Sequence, residues 1–163
     1  MKRIRSVIKS FYCAIRGIAF CLRHERHLRI HMVAAAYVLY FATFYGFTPA
    51  DYSVLVLICV LVIGLELVNT AIEVVIDKVS PQFNIFAMMG KDIAAGAVFA
   101  AALGAVAIGI IMLWNPAVFY EIWLYFTSDF IKPAILALSA VISIIFIVTA
   151  RPRRTGAHRK KDE

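Results

Sequence analysis

Glu66-Leu67-Val68-Asn69-Thr70-Ala71-Ile72-Glu73-Val74-Val75-Ile76-Asp77 is the stretch that decides how this chain is read. It closes a long apolar run that begins at Tyr52, yet it holds three carboxylates and an amide. On a helix of about 3.6 residues per turn, Glu66, Asn69, Glu73 and Asp77 fall at i, i+3, i+7 and i+11 and share one face. A charged side chain at mid-bilayer costs about 2.5–3.5 kcal/mol even on lenient insertion scales. Three acids on one face of a membrane helix therefore require a compensating metal ion, cation, proton or water. Counting back from Asp77 at about 1.5 Å per residue puts Glu73 about 6 Å and Glu66 about 16 Å from that end of the helix. Glu73 is within reach of headgroups and dissolved solutes, and Glu66 lies at the depth a desolvated general base needs.

The surrounding sequence fits a membrane setting. The chain has 163 residues, 63% of them hydrophobic, and a mean hydropathy of +0.84, far from the usage of a soluble domain. Four runs, near Leu28–Phe47, Tyr52–Ile76, Ile93–Trp114 and Phe130–Thr149, approach the roughly 20 apolar residues needed to span a bilayer core. The expected fold is all-α and integral to the membrane, with an N-terminal interfacial amphipathic helix and four transmembrane helices. Its parts are the amphipathic helix in residues 1–27, a three-span core in 28–114, an outer aromatic segment and fourth span in 115–150, and a basic tail in 151–163.

The net charge of +7 is placed as a multi-pass protein places it. Lys2, Arg3, Arg5, Lys9, Arg16, Arg23, Arg26 and Arg29 precede or open the first span, Lys78 and Lys91 flank the second loop, and six Lys and Arg residues fill the tail. The turn Thr48–Asp51 and the loop Asn115–Asp129 carry none. The positive-inside rule then puts both termini and the second loop in the cytoplasm. Juxtamembrane charge accounts for the basic balance without nucleic acid, and anionic lipid is the expected contact of the basic termini. Cys13, Cys21 and Cys59 form no CxxC pair, so no disulfide is expected. No cleavable signal is apparent.

Ile4, Val7, Ile8, Phe11, Ile15 and Ile18 recur at helical spacing with Lys and Arg off the stripe, which reads as a helix lying in the headgroup layer or docked on another subunit. His24, His27 and His31 could share a helix face, but interfacial histidines beside arginine are ordinarily solvated. Glu25 is the one acid in that basic run, a salt-bridge partner for Arg26 or Arg29 or a residue with a task. Gly96, Ala100 and Gly104 repeat at i+4 and suggest a close-packing face on the third span. Lys91-Asp92, which opens that span, can be a snorkelling lysine with a helix-start aspartate, or an ammonium for phosphate with a carboxylate for a polar partner.

No Walker sequence and no GxGxxG loop is present, so phosphate chemistry here cannot use a soluble P-loop or protein-kinase fold. Phosphoryl transfer needs carboxylates for Mg²⁺, a cation for phosphate oxygens and a base for the attacking hydroxyl. Glu25 and Glu73, Lys91 and Glu66 offer those groups, with Asn69 one turn from the base. A transporter or proton-translocating subunit using Glu66 accounts for the buried acid, but not for the clustering of Asn69, Glu73 and Asp77 toward one end or for Lys91-Asp92. A catalytically dead scaffold does not account for retained, costly acids.

Glu66-x-x-Asn69-Thr70-Ala71-Ile72-Glu73-x-x-x-Asp77, followed by Lys91-Asp92, resembles the signature of the small prokaryotic diacylglycerol kinase family, which includes the undecaprenol kinases of Gram-positive bacteria. Arg16-Gly17 and Glu25-x-x-x-Arg29-x-His31 also match, the latter closer to the undecaprenol kinase branch. The resemblance covers roughly residues 5–114. It implies a homotrimer of three-span subunits in the bacterial plasma membrane, with active sites shared between neighbours at the cytoplasmic boundary and Mg-ATP-dependent phosphorylation of a lipid hydroxyl. By the same resemblance Glu66 is the general base, Glu25 and Glu73 are the Mg²⁺ ligands, and Glu25, Glu73, Asp77, Lys91 and Asp92 meet the nucleotide, with Lys91 on phosphate. Glu66, Asn69 and Arg29 meet the lipid. Two departures stand out. Gln82 and Asn84 occupy a loop where the best-known member carries acidic and His residues, and residues 115–163 lie beyond the three-span pattern.

Overall fold

The computed structural model describes residues 2–80, 82 and 84–151, with side chains from residue 7 onward. The described residues form six helices and no strand: α1 (Lys2–His24), α2 (Arg26–Ala42), α3 (Pro49–Val79), α4 (Ile85–Leu113), α5 (Pro116–Thr127) and α6 (Ile131–Val148). The tail from residue 152, with the expected anionic-lipid contact, lies outside them. Three helices, α3, α4 and α6, are long and apolar enough to cross a membrane. The protein is an all-α integral membrane protein.

The helix ends follow from local chemistry. Thr48 and Asp51 form a reciprocal capping box that starts α3, with Pro49 in its first turn. Asn84 starts α4 by accepting from the N–H groups of Phe86 and Ala87 at 2.9 and 3.4 Å, and Asn115 starts α5 in the same way at Ala117. Asp129 accepts from the N–H groups of Ile131 and Lys132 at 3.0 and 2.9 Å, supplying the start of α6. The Lys132 amide, then its ammonium 3.1 Å away, hold the Asp129 carboxyl below the usual carboxylate range.

Two boundaries differ from the pattern of apolar residues. The first span was expected to run to Phe47, but α2 has 17 residues, ends at Ala42 and is only about 25 Å long. Thr43–Phe47 turn instead, through bonds such as Phe44 N–H to Phe41 and Tyr45 N–H to Ala42. Here Phe41 and Phe44 pack against Tyr125 and Phe126. The second loop is shorter than expected. The Asn84 cap brings α4 in well before Lys91, so Lys91 sits in its second turn. At 31 and 29 residues, α3 and α4 are about 46 and 43 Å long and exceed a hydrocarbon core of about 30 Å.

The pair α3–α4 makes the most extensive contact, and α2 packs on α3. Ala94 and Val98 are the buried positions of α4. The expected Gly96–Ala100–Gly104 face does not carry this packing, since a Cβ at Gly96 or Gly104 would meet nothing within 4 Å. The close approach is at Gly90, where a Cβ would stand 3.3 Å from Ile76 Cδ1, just after the chain has reversed. Helix α6 has no buried residue. It meets α2 through the Tyr37 hydroxyl, 2.9 Å from Ser139 and 3.4 Å from Ser143, and at its C-terminal end through Arg29.

Candidate active site

Helix α3 sets out the polar face in order of burial. Glu66 is 4% exposed, Asn69 8% and Thr70 2%, Glu73 is half-buried and Asp77 is exposed. The Asn69 amide donates to Glu73 Oε1 at 3.1 Å, which fixes the amide's orientation and turns its oxygen away from Glu73. That oxygen, Asn69 Oδ1, and the Thr70 hydroxyl are buried without a hydrogen-bond partner among the described residues. Buried polar groups are ordinarily paired, so these two orphans on consecutive residues make this part of α3 a candidate place for a polar ligand.

Thr70 is the residue the sequence reading passed over. A helical hydroxyl can bond back to a carbonyl three or four residues earlier. Here Ser53, Thr127, Ser139 and Thr149 all do so, at 2.7–2.9 Å. Thr70 does not, although it lies four residues beyond Glu66 on the same side of the helix. Its position in the quoted stretch was the available signal.

At the exposed end, Lys91 of α4 forms an ion pair with Asp77 of α3, their side chains 36% and 38% exposed. The structure thus joins two residues expected at one site from two separate helices. Asp92 is exposed beside them. Glu25 is the single extended residue between α1 and α2, at φ −104° and ψ 115°. It occupies the cap position of α2, but its side chain makes no cap bond there, and it is half-buried where α1 meets α2 and α3.

Arg29 of α2, also buried, reaches two other helices, α1 and α6. Its Nε donates to the Leu22 carbonyl at 2.5 Å, and one terminal nitrogen donates to the Arg23 carbonyl at 3.5 Å. The other terminal nitrogen donates to the Phe146 carbonyl and to Thr149 Oγ1, the latter at 3.2 Å. His24 bonds the Phe20 carbonyl at 2.9 Å and lies against the Phe20 ring, an ordinary structural histidine. The described residues contain no cluster of three or more His, Cys, Asp and Glu side chains that could hold a metal ion.

Long apolar helices that carry a graded line of acids, amide and hydroxyl toward an exposed Lys–Asp pair define a multi-pass membrane protein with a polar site at one end of its helices. Comparison with known proteins makes this specific. The chain belongs to the prokaryotic diacylglycerol kinase family, whose sequence model matches residues 12–113. It is 36% identical over 112 residues to a protein from Synechocystis sp. named diacylglycerol kinase, a match covering 68% of this chain and 64% of that relative. It is 35% identical over 104 residues to the undecaprenol kinase of Bacillus subtilis, covering 64% of this chain and 85% of that relative. No solved structure matches the chain. Helices α5 and α6 lie beyond the family match.

Proposed function

We propose that this protein is a membrane lipid kinase that transfers the γ-phosphoryl group of ATP to a lipid alcohol. The reading places both termini and the site on the cytoplasmic side, in a homotrimer whose neighbouring subunits complete each site. The observation that carries it is the gradient along α3. Glu66 is deeply buried, and the face runs from it to the exposed Asp77–Lys91 pair. A lipid hydroxyl arriving from the apolar side and a nucleotide arriving from the aqueous side meet along that face.

Glu66 accepts the proton of the lipid hydroxyl as its oxygen attacks the γ-phosphorus; the bond to the bridging oxygen of ADP breaks and ADP departs. The Asn69 oxygen and the Thr70 hydroxyl orient the lipid hydroxyl. Lys91 leaves Asp77 for the phosphate oxygens, and Asp77 and Asp92 orient the nucleotide. The acids available for a divalent cation, Glu25 and Glu73, offer hard oxygen donors. Mg²⁺ characteristically takes one or two carboxylates and completes its shell with water and substrate phosphate, so Glu25 and Glu73 would suffice to hold it. When bound with the nucleotide, Mg²⁺ neutralises phosphate charge. Undecaprenol is the favoured acceptor, on the Glu25–His31 pattern and the Bacillus relative's name; diacylglycerol is the other.

The test is transfer of label from γ-labelled ATP to lipid by purified protein in mixed micelles, with undecaprenol and diacylglycerol in competition. The wild type is expected to label undecaprenol preferentially. Glu66→Gln is expected to abolish labelling while remaining folded and oligomeric. Labelling by Glu66→Gln at the wild-type rate removes the base assignment, and substrate flux without ATP consumption removes the kinase reading.

A further inference from the structure

Helix α6 buries nothing against the core, yet its C-terminal end is tied to the place where Glu25 sits. The last carbonyls of a helix lack intrahelical partners, and near a bilayer they are costly to leave unpaired. At the end of α1 the Cys21 carbonyl is met by the Glu25 N–H at 2.7 Å. The Leu22 and Arg23 carbonyls are met by Arg29, and Arg23 is met a second time by the Arg151 N–H at 3.0 Å, from the residue chain just past α6. At the end of α6 the Phe146 carbonyl and the Thr149 hydroxyl also turn to Arg29, whose guanidinium lies 4.6 Å from the centre of the Phe146 ring. One buried cation therefore closes the negative ends of two helices that stand more than a hundred residues apart in sequence. A planar guanidinium suits this position because it donates in several fixed directions at once, as an ammonium does not.

Between the end of α1 and the start of α2 is a single extended residue, Glu25. One residue linking two helices is the softest point of the chain there, with two dihedral angles to set where its carboxylate lies. We infer that Arg29 and the C-terminal end of α6 form a clamp that fixes the α1–α2 elbow and so positions the Glu25 carboxylate toward its divalent cation. Arg29 is a positioning residue in this scheme, and α6 acquires a task within the site although the family match does not reach it. The inference rests on the kinase reading for the purpose of the cation, but not for the clamp itself.

The test uses the full-length chain in lipid nanodiscs with Arg29→Lys and Thr149→Val. Three quantities are read: amide hydrogen exchange, Mn²⁺ binding by electron paramagnetic resonance without nucleotide, and KM for the lipid alcohol. Loss of charge-assisted bonds at Arg29 is expected to speed exchange at residues 22–28 and to weaken Mn²⁺ binding, each about tenfold. Exchange at the centre of α3 stays at its wild-type value. Thr149→Val, which alters α6 alone, is expected to speed exchange at residues 22–26 about twofold. Unchanged exchange at the elbow in either variant overturns the clamp. Faster exchange throughout α3 makes Arg29 a general structural residue and also overturns it. A raised lipid KM with unaltered Mn²⁺ binding puts Arg29 on the lipid instead. A wild-type chain that binds Mn²⁺ yet transfers no phosphate removes the kinase reading alone.

Discussion

Replacing Thr70 with valine separates what this residue does for the fold from what it does for the site. Valine has the shape of threonine, so packing around a position only 2% exposed is preserved. The hydroxyl it removes has no hydrogen-bond partner among the described residues. An unsatisfied buried polar group costs about 1–3 kcal/mol, and an apolar group of the same shape carries no such cost. Thr70→Val is therefore expected to be more stable than the wild type by about 1–3 kcal/mol, a rise in melting temperature of about 2–10 °C for a chain of this size. On the kinase reading the same hydroxyl orients the lipid hydroxyl in turnover, and losing one neutral hydrogen bond of about 0.5–1.5 kcal/mol is expected to slow transfer about two- to tenfold. Thermal unfolding in detergent, followed by intrinsic fluorescence, and transfer of labelled phosphate to lipid measure the two effects on one preparation. Thr70→Ser keeps the hydroxyl and should retain most of the activity. A valine variant that melts lower and turns over normally refutes the reasoning, because the hydroxyl would then be satisfied inside the fold and idle in the reaction.

Two other outcomes follow from the same site and its surroundings. Lys91→Met leaves the melting temperature nearly unchanged, because a pair more than a third exposed contributes about 0–1 kcal/mol, but it raises KM for Mg-ATP about tenfold by removing a charged bond to phosphate. The Asp129 carboxyl is held below its ordinary value of 3.8. Its stabilising effect is thus fully present above that value and is lost as the pH falls through its lower folded-state pKa. The melting temperature of the wild type should exceed that of Asp129→Asn at neutral pH, and the gap should close on acidification below pH 3.8.

Much of this molecule is legible in its sequence, for identifiable reasons. The acids of α3 stand out because their type conflicts with their surroundings, and the ends of α6 fall within a residue of its apolar run. The end of α2 was not legible, since Thr43–Phe47 is as apolar as the helix before it and turns where its rings meet those of α5. The start of α4 was signalled by Asn84, a good cap, but Lys91-Asp92 drew the boundary inward because charge suggests a span's edge. Thr70 could not be told from the back-bonded hydroxyls elsewhere without its rotamer. Most of Arg29's partners are backbone carbonyls, which every residue possesses, so no side-chain pattern announces them.

The shortness of α2 reaches beyond the chain into the surrounding lipid. A helix of about 25 Å packed on α3, which is over 40 Å long, cannot match the same flat slab of hydrocarbon. Helix α2 also falls outside the helices long and apolar enough to cross a membrane, so the lipid around it either thins, at a fraction of a kcal/mol per ångström, or gives way to neighbouring protein. Glu25 immediately precedes α2, so on the kinase reading local thinning there would fall at the proposed cation site. On the kinase reading, phosphate transfer is therefore expected to depend on the acyl-chain length of the surrounding lipid, which a series of nanodiscs of graded thickness would measure.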